Sequence, residues 1–428
     1  MSNGDLPADR PMTLDPSRDA RVDRTTKGFP TVDEPIPLAE VARQGWSLED
    51  LLPPVLVLRE AALAHNVALM AEYCANHGVE LAPHGKTTMA PQLWRRQLDA
   101  GAWGITAATV GQARVMVAAG VPRVLIANEV TDGTAMRWIA AQLRDSGVDV
   151  VCSVDSARGV ELLAAGIEGV PRPLPVLVEL GHLGGRTGSR TEDHALEVAR
   201  LVTKTPQLVL AGATGYEGTI CHDRTPACLE EVGLFLDRLG ELTSRLRADG
   251  LVETDEAWVS AGGSAFFDLV VERLGPSGAI ADRVLLRSGS YVAHDAGMNE
   301  RMSPFADVWP ERRFHPALEA WGGVLSRPEP ELAILGFGRR DVSFDQDLPM
   351  PFTLRRRSGE RLDVAGALVV ERLNDQHAFC RVPAEISIEP GDLVGCGLSH
   401  PCTAFDKWRV IPVLDDDDHV IDAVATFF

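Results

Sequence analysis

Long apolar runs are missing from this chain of 428 residues. No stretch approaches the ~18 apolar residues that a membrane-spanning helix needs. The first 27 residues are polar and charged and hold no apolar core of a secretory signal, so none is expected. Positive charge is also scarce: 41 Lys and Arg face 61 Asp and Glu, a formal balance of −20. That balance argues against nucleic acid or an anionic membrane as partner. Small anions are not excluded, because local groups and helix N-termini decide their binding. Cysteines number only seven (Cys74, Cys152, Cys221, Cys228, Cys380, Cys396 and Cys402), an odd count without paired spacing. No disulfide framework is expected, and a reduced, cytoplasmic protein is. Tyrosine is rarer still, with three in the chain.

What is present is a rhythm. Eight short apolar runs (81–86, 104–108, 124–127, 148–154, 175–180, 208–216, 257–261 and 284–287) alternate with amphipathic stretches. Strands alternating with helices predict βα units and a parallel sheet. Eight units over about 210 residues suit a closed (β/α)8 barrel, typically about 250 residues. An open doubly wound sheet is the rival, weakened because no Gly-x-Gly-x-x-Gly follows the first strand. From about Phe314 the texture becomes short β-rich runs separated by turn residues, which predicts an all-β domain. The expected organisation is a loosely ordered leader over 1–50, a barrel over 51–310 and a β domain over 311–428. Within the leader, 36–50 is expected to form a short helix packed on the body. The run Asp415–Asp418 reads as a solvated hairpin turn, since the spaced ligands and glycine of an EF-hand are absent.

In a barrel, functional side chains gather where strands end and loops begin. The first run ends in His84-Gly85-Lys86-Thr87. A lone lysine is usually a surface residue, but this one closes an apolar run and must reach solvent or meet a partner. A lysine shielded from water keeps the neutral amine that attacks an aldehyde. Lys86 is therefore the candidate to form a Schiff base with pyridoxal phosphate (PLP). The fifth run leads into Gly181-His182-Leu183-Gly184-Gly185-Arg186-Thr187-Gly188, where glycines permit close backbone approach to a ligand. Arg186 is either a contact to an anionic cofactor oxygen or a surface arginine. Tyr216, closing the sixth run, either bonds the cofactor through its hydroxyl or packs in the core. The seventh run ends in Gly262-Gly263-Ser264 and the eighth in Arg287-Ser288-Gly289-Ser290-Tyr291. Loops after strands seven and eight are where barrels commonly bind phosphate. In the β-rich part, His400 and Cys402 stand two apart, which on a strand places both on one face. Imidazole and thiolate favour zinc, and two protein ligands leave room for water or substrate. The alternative is a buried cysteine beside an unrelated histidine.

With these residues in view, the chain over roughly 50–428 resembles the PLP enzymes built on the alanine-racemase-like barrel. It is most similar to the branch that holds D-serine dehydratases and D-threonine aldolases. The resemblance rests on Pro83-His84-Gly85-Lys86-Thr87, on Gly181 with Arg186-Thr187-Gly188, and on Arg287-Ser288-Gly289-Ser290-Tyr291. The most specific match is Ser399-His400-Pro401-Cys402-Thr403 with Asp406-Lys407-Trp408. It implies that Lys86 holds PLP, with His84, Arg186, Tyr216, Gly262, Gly263, Ser264, Ser288, Gly289, Ser290 and Tyr291 around it. It further implies that His400 and Cys402 hold zinc. His-x-Cys resembles the dehydratase pattern, whereas the aldolases show His-x-Asp. The implied reaction is β-elimination from a small D-3-hydroxy amino acid, such as D-serine or D-threonine, to a 2-oxo acid and ammonia. Retro-aldol cleavage to glycine and an aldehyde, and non-catalytic PLP binding, are the alternatives. A homodimer is implied by resemblance alone. The chain departs from the family at Lys86-Thr87-Thr88-Met89, usually Lys-Thr-His-Lys, and at Asp375-Gln376-His377, commonly Glu-Glu-His.

Overall fold

A computed structural model describes residues 14–15, 19–145, 147–276, 280–305, 309 and 312–428. Eight parallel strands form one curled sheet: Glu80–Leu81, Ile105–Ala107, Arg123–Glu129, Asp149–Val154, Leu174–Leu180, Leu208–Gly215, Trp258–Ala261 and Arg283–Leu286. Each falls within or beside one of the eight apolar runs. The strand after His77 pairs with the last strand. It meets the second through a bridge from His84 to Thr106 and bonds from the Trp103 and Thr106 amides to Leu81 and Pro83. Those bonds close the barrel.

Side-chain parity divides the barrel interior into two layers. One residue at or beside each strand (Ala82, Trp103, Leu125, Val151, Leu177, Ala211, Trp258 and Leu285) packs into a single apolar plug. Trp103 and Trp258 meet edge to face at 5.4 Å within it. Toward the C-terminal end, polar residues replace them: Thr106, Ser153, Glu179, Thr214, Ser260 and Arg287, all buried. The plug seals one end of the barrel and the polar layer floors the other, where the loops rise. Helices such as Pro226–Ala248, with Pro at its first turn and the Thr225 hydroxyl capping Cys228, cover the outside.

The second domain is antiparallel, as expected from the β-rich texture. Its long strand Leu318–Glu329 pairs with Leu393–Gly397 and Leu332–Leu335. The reading from sequence missed this strand, because Gly322 and Gly323 interrupt its alternation, and it missed Met350–Arg355 and Arg361–Asp363 as well. Val55–Arg59, expected inside the barrel segment, is instead a strand of this sheet. It lies antiparallel to Leu318–Trp321 and parallel to Val410–Leu414. The chain thus starts in the β domain, builds the barrel and returns.

The expected leader is corrected too. Residues 1–13 and 16–18 lie outside the described residues. Beyond them, Val22, Phe29, Leu38, Val41, Leu48 and Leu51 are buried with Val55, Trp321 and Val410 in one core cluster. The short helix expected within 36–50 is the 3-10 helix Leu38–Gln44. Asp415–Asp418 is a hairpin turn, but Asp418 is not solvated: it is buried and ion-paired with Arg59 and Arg361. Among the described residues, no helix is long and apolar enough to cross a membrane.

Candidate active site

A cavity of about 460 Å³ opens above the polar floor of the barrel. The turn Gly85–Thr87, just past the first barrel strand, carries Lys86 into it. This turn is held tightly. A Cβ on Gly85 would lie 2.6 Å from Met116 and 2.9 Å from the Trp94 ring nitrogen, which donates to the Gly85 carbonyl. Burial lowers the Lys86 pKa; a nearby Cys402 thiolate would oppose the shift, while Arg186 and Arg287 add to it. His84 is driven well below the usual histidine range, chiefly by burial and then by the charges of Lys86, Arg287 and Arg186. Its Nδ1 is buried without a hydrogen-bond partner among the described residues.

Arg287 lies under the cavity, fully enclosed. It donates to the Thr214 hydroxyl at 2.6 Å, to Ser260 Oγ at 2.8 Å and to the Gly215 carbonyl at 2.5 Å. It was not among the residues singled out as cofactor ligands, although it stands in the quoted Arg287–Tyr291 motif. Parity along the last strand, with Leu285 in the plug and Arg287 two residues on, is the signal that locates it. Arg186 stacks over the Tyr216 ring at 4.8 Å, and both side chains face the cavity.

The Gly/Ser loops divide. Gly263, Ser264, Gly289 and Ser290 line the cavity. The Ser290 hydroxyl donates to Ser264 Oγ at 2.8 Å. A Cβ on Gly289 would fall 2.4 Å from the His84 carbonyl, so only glycine lets this loop meet the lysine turn. Four expected ligands are corrected here. The amides of Gly262 and Gly263 already donate to the buried Glu217 carboxylate, at 3.1 and 2.6 Å. The Ser288 hydroxyl is turned to the carbonyls of Gly262 and Gly263. The Tyr291 side chain leaves the cavity altogether. It accepts from Gln97 at 3.0 Å and packs near Phe314, because the 3-10 turn Ser290–Val292 swings it into the core.

His400 and Cys402 reach the same cavity from the β domain. They do not lie on a strand. His400 takes a left-handed conformation (φ 56°) and Cys402 opens the short helix Cys402–Phe405. A tight turn thus presents both, where strand alternation was expected to. The His400 Nδ1 lies 2.5 Å from Asp345, its amide donates to the buried Asp295, and Cys402 Sγ is 3.3 Å from the Thr87 hydroxyl. The His400 pKa rises to about 9 through Cys402 and Asp345. The donor set suits a zinc ion: with Nδ1 turned to Asp345, Nε2 is left to bind metal. Among the described residues no three His, Cys, Asp or Glu side chains gather as a metal cluster. His377, in the departing Asp-Gln-His segment, is exposed and off the cavity.

An enclosed lysine of lowered basicity, a Gly/Ser cradle after strands seven and eight, and a facing His/Cys pair define a barrel enzyme of the aldehyde-cofactor class. Residues 58–269 match the alanine racemase N-terminal domain family, and residues 317–414 match a serine dehydratase domain family. The D-threonine aldolase of an Arthrobacter species is 30% identical over 358 residues, 83% of this chain and 85% of the relative. Among solved structures, the D-threonine aldolase of Filomicrobium marinum superposes with a TM-score of 0.74 at 26% identity, covering 89% of this chain and 96% of its own. The D-threo-3-hydroxyaspartate dehydratase of Delftia sp. HT23 gives a TM-score of 0.71 at 22% identity, covering 89% and 99%.

The chain belongs to the alanine-racemase-like family of PLP enzymes that carry a C-terminal serine dehydratase domain. It is a PLP-dependent lyase of the D-hydroxy amino acid group. The cavity fits that cofactor: a buried imidazole nitrogen without a partner faces a lysine of lowered basicity, and a glycine cradle adjoins them.

Proposed function

We propose that this enzyme is a PLP- and zinc-dependent D-3-hydroxy amino acid dehydratase that releases a 2-oxo acid and ammonia. The observation that carries the reading is the convergence of Lys86 with His400 and Cys402 on one cavity. Lys86 would hold PLP, which would supply an electron sink for chemistry at Cα. Ser264, Gly289 and Ser290 would hold its phosphate, with Arg287 among the groups that line its site. His400 and Cys402 would hold zinc, whose Lewis acidity favours departure of the β-hydroxyl.

The chain's own residues do the rest. The Lys86 amine, made less basic by burial, would take the Cα proton. Arg186, braced on Tyr216, orients a substrate carboxylate or a cofactor oxygen. Asp345 fixes the His400 ring so that Nε2 faces the cavity. The thiol at Cys402 supports the dehydratase over the aldolase reading, since the aldolases typically place aspartate there.

Retro-aldol cleavage is the second reading, favoured by the Arthrobacter relative's name. It needs a base for the β-hydroxyl, and His222 stands on the cavity wall. Product analysis decides between the two. D- and L-3-hydroxy amino acids are supplied with PLP and zinc, before and after chelation. Chelator-sensitive 2-oxo acid and ammonia from D-substrates support the dehydratase; glycine and an aldehyde move the enzyme to the aldolases. The proposed assembly is a homodimer. It rests on the family resemblance, and light scattering in solution tests it.

A further inference from the structure

We propose that the Arg301–Asp347 ion pair sets substrate choice, making the cavity select a neutral, alkyl or aryl β-substituent over a second carboxylate. This rests on the reading of a D-3-hydroxy amino acid substrate. With Cα at Lys86 and the β-hydroxyl at His400 and Cys402, the remaining group on Cβ meets the wall that adjoins His400. That wall is the short helix Met298–Met302 together with Gln346. The Met298 amide donates to Ser399 Oγ at 3.0 Å, so the helix is tied to the residue just before His400.

The wall offers two thioethers, Met298 and Met302, which adapt to irregular apolar groups. Its cation is Arg301. A substrate carboxylate is best held by a guanidinium fork, but here one arm of the fork, Nη2, already holds both oxygens of Asp347 at 2.8 and 3.1 Å. The second arginine of the outer cavity, Arg224, is held likewise by Asp268 at 2.6 Å. A β-carboxylate must therefore compete with Asp347 for Arg301 and with Asp268 for Arg224. A methyl or phenyl group loses nothing there.

The test compares the holoenzyme, Asp347→Asn and the double variant Asp347→Asn/Arg301→Met. Binding of D-2-aminobutyrate and D-aspartate is read from the cofactor absorbance, and kcat and KM are measured for D-threonine and D-threo-3-hydroxyaspartate. Expected is at least a ten-fold preference of the wild type for D-2-aminobutyrate. Asp347→Asn should narrow that ratio by ten-fold or more, through KM rather than kcat, and the double variant should restore it. Equal binding of the two ligands by the wild type, or an unchanged ratio in Asp347→Asn, overturns the proposal. Neither ligand has a β-hydroxyl. The binding ratio thus stands apart from turnover, and failure of every 3-hydroxy substrate would sink the dehydratase reading alone.

Discussion

At the scale of single residues, chemistry follows from what burial does to charge. Lys86→Ala is expected to lose the bound-cofactor absorbance and to cut turnover by about 10²–10⁴-fold, the range of a lost acid–base group. A persisting absorbance band would place the cofactor on another lysine. Asp345 acts through the His400 ring, so Asp345→Asn should weaken zinc binding by about 10–100-fold. Competition with a chelator measures this without recourse to activity. Glu129 tests the polar floor differently. Burial, then the neighbouring Glu179 charge, raises its pKa from 4.5 to about 8. Below 4.5 both folded and unfolded chains hold the proton. Between 4.5 and about 8 the unfolded chain releases it and the folded one keeps it, so stability falls as pH rises through that window. Glu129→Gln should flatten this slope and raise Tm above pH 8, seen in thermal melts across pH. Equal slopes in the two proteins would show that Glu129 ionises freely.

At the scale of elements, the site depends on how closely two loops approach. The turn Gly85–Thr87 and the loop after the last barrel strand touch at Gly289, where a methyl would strike the His84 backbone. Gly289→Ala is expected to cost about 1–3 kcal/mol, the usual price of overpacking. It should also loosen cofactor retention, because the clash separates Lys86 from Ser290. Thermal melts and PLP content after gel filtration report both effects, and a variant with wild-type values for each would remove Gly289 from the cradle. The same scale explains the corrected ligands. Alternation and run endings locate Gly262, Gly263, Ser288 and Tyr291 at the right barrel rim. They say nothing of which groups are already bonded, and Glu217 takes the amides while the turn Ser290–Val292 turns the tyrosine inward.

At the scale of the whole molecule, the segment before the barrel is part of the second core. Val22, Phe29, Leu38, Val41 and Leu48 are buried against the β domain, and Lys27 joins Asp341 at 2.6 Å while lying over Trp408. Five buried apolar side chains amount to roughly 10 kcal/mol, comparable with the net stability of a domain. Removal of residues 1–48 is therefore expected to yield insoluble protein, or protein with its Tm lowered by tens of degrees. Soluble, fully active truncated protein would restore the picture of a loose leader.

The barrel was legible in the amino-acid order, and so were Lys86, His400 and Cys402 as candidates, which the fold brings to one cavity. Apolar runs of period two set strands, run endings mark the catalytic rim, and a charged residue closing an apolar run is conspicuous by its cost. Parity could have placed Arg287 too, once Leu285 is known to face inward, but it was not singled out. Tertiary structure alone decided the rest. Val55–Arg59 reads like a barrel strand, but its partners, Leu318–Trp321 and Val410–Leu414, lie more than 250 residues away. The left-handed turn at His400, the Asp345 and Asp295 bonds that hold it and the ion pair on Arg301 are likewise contacts between distant segments. Local patterns encode local geometry and burial. Which polar group meets which is settled only when the two domains pack.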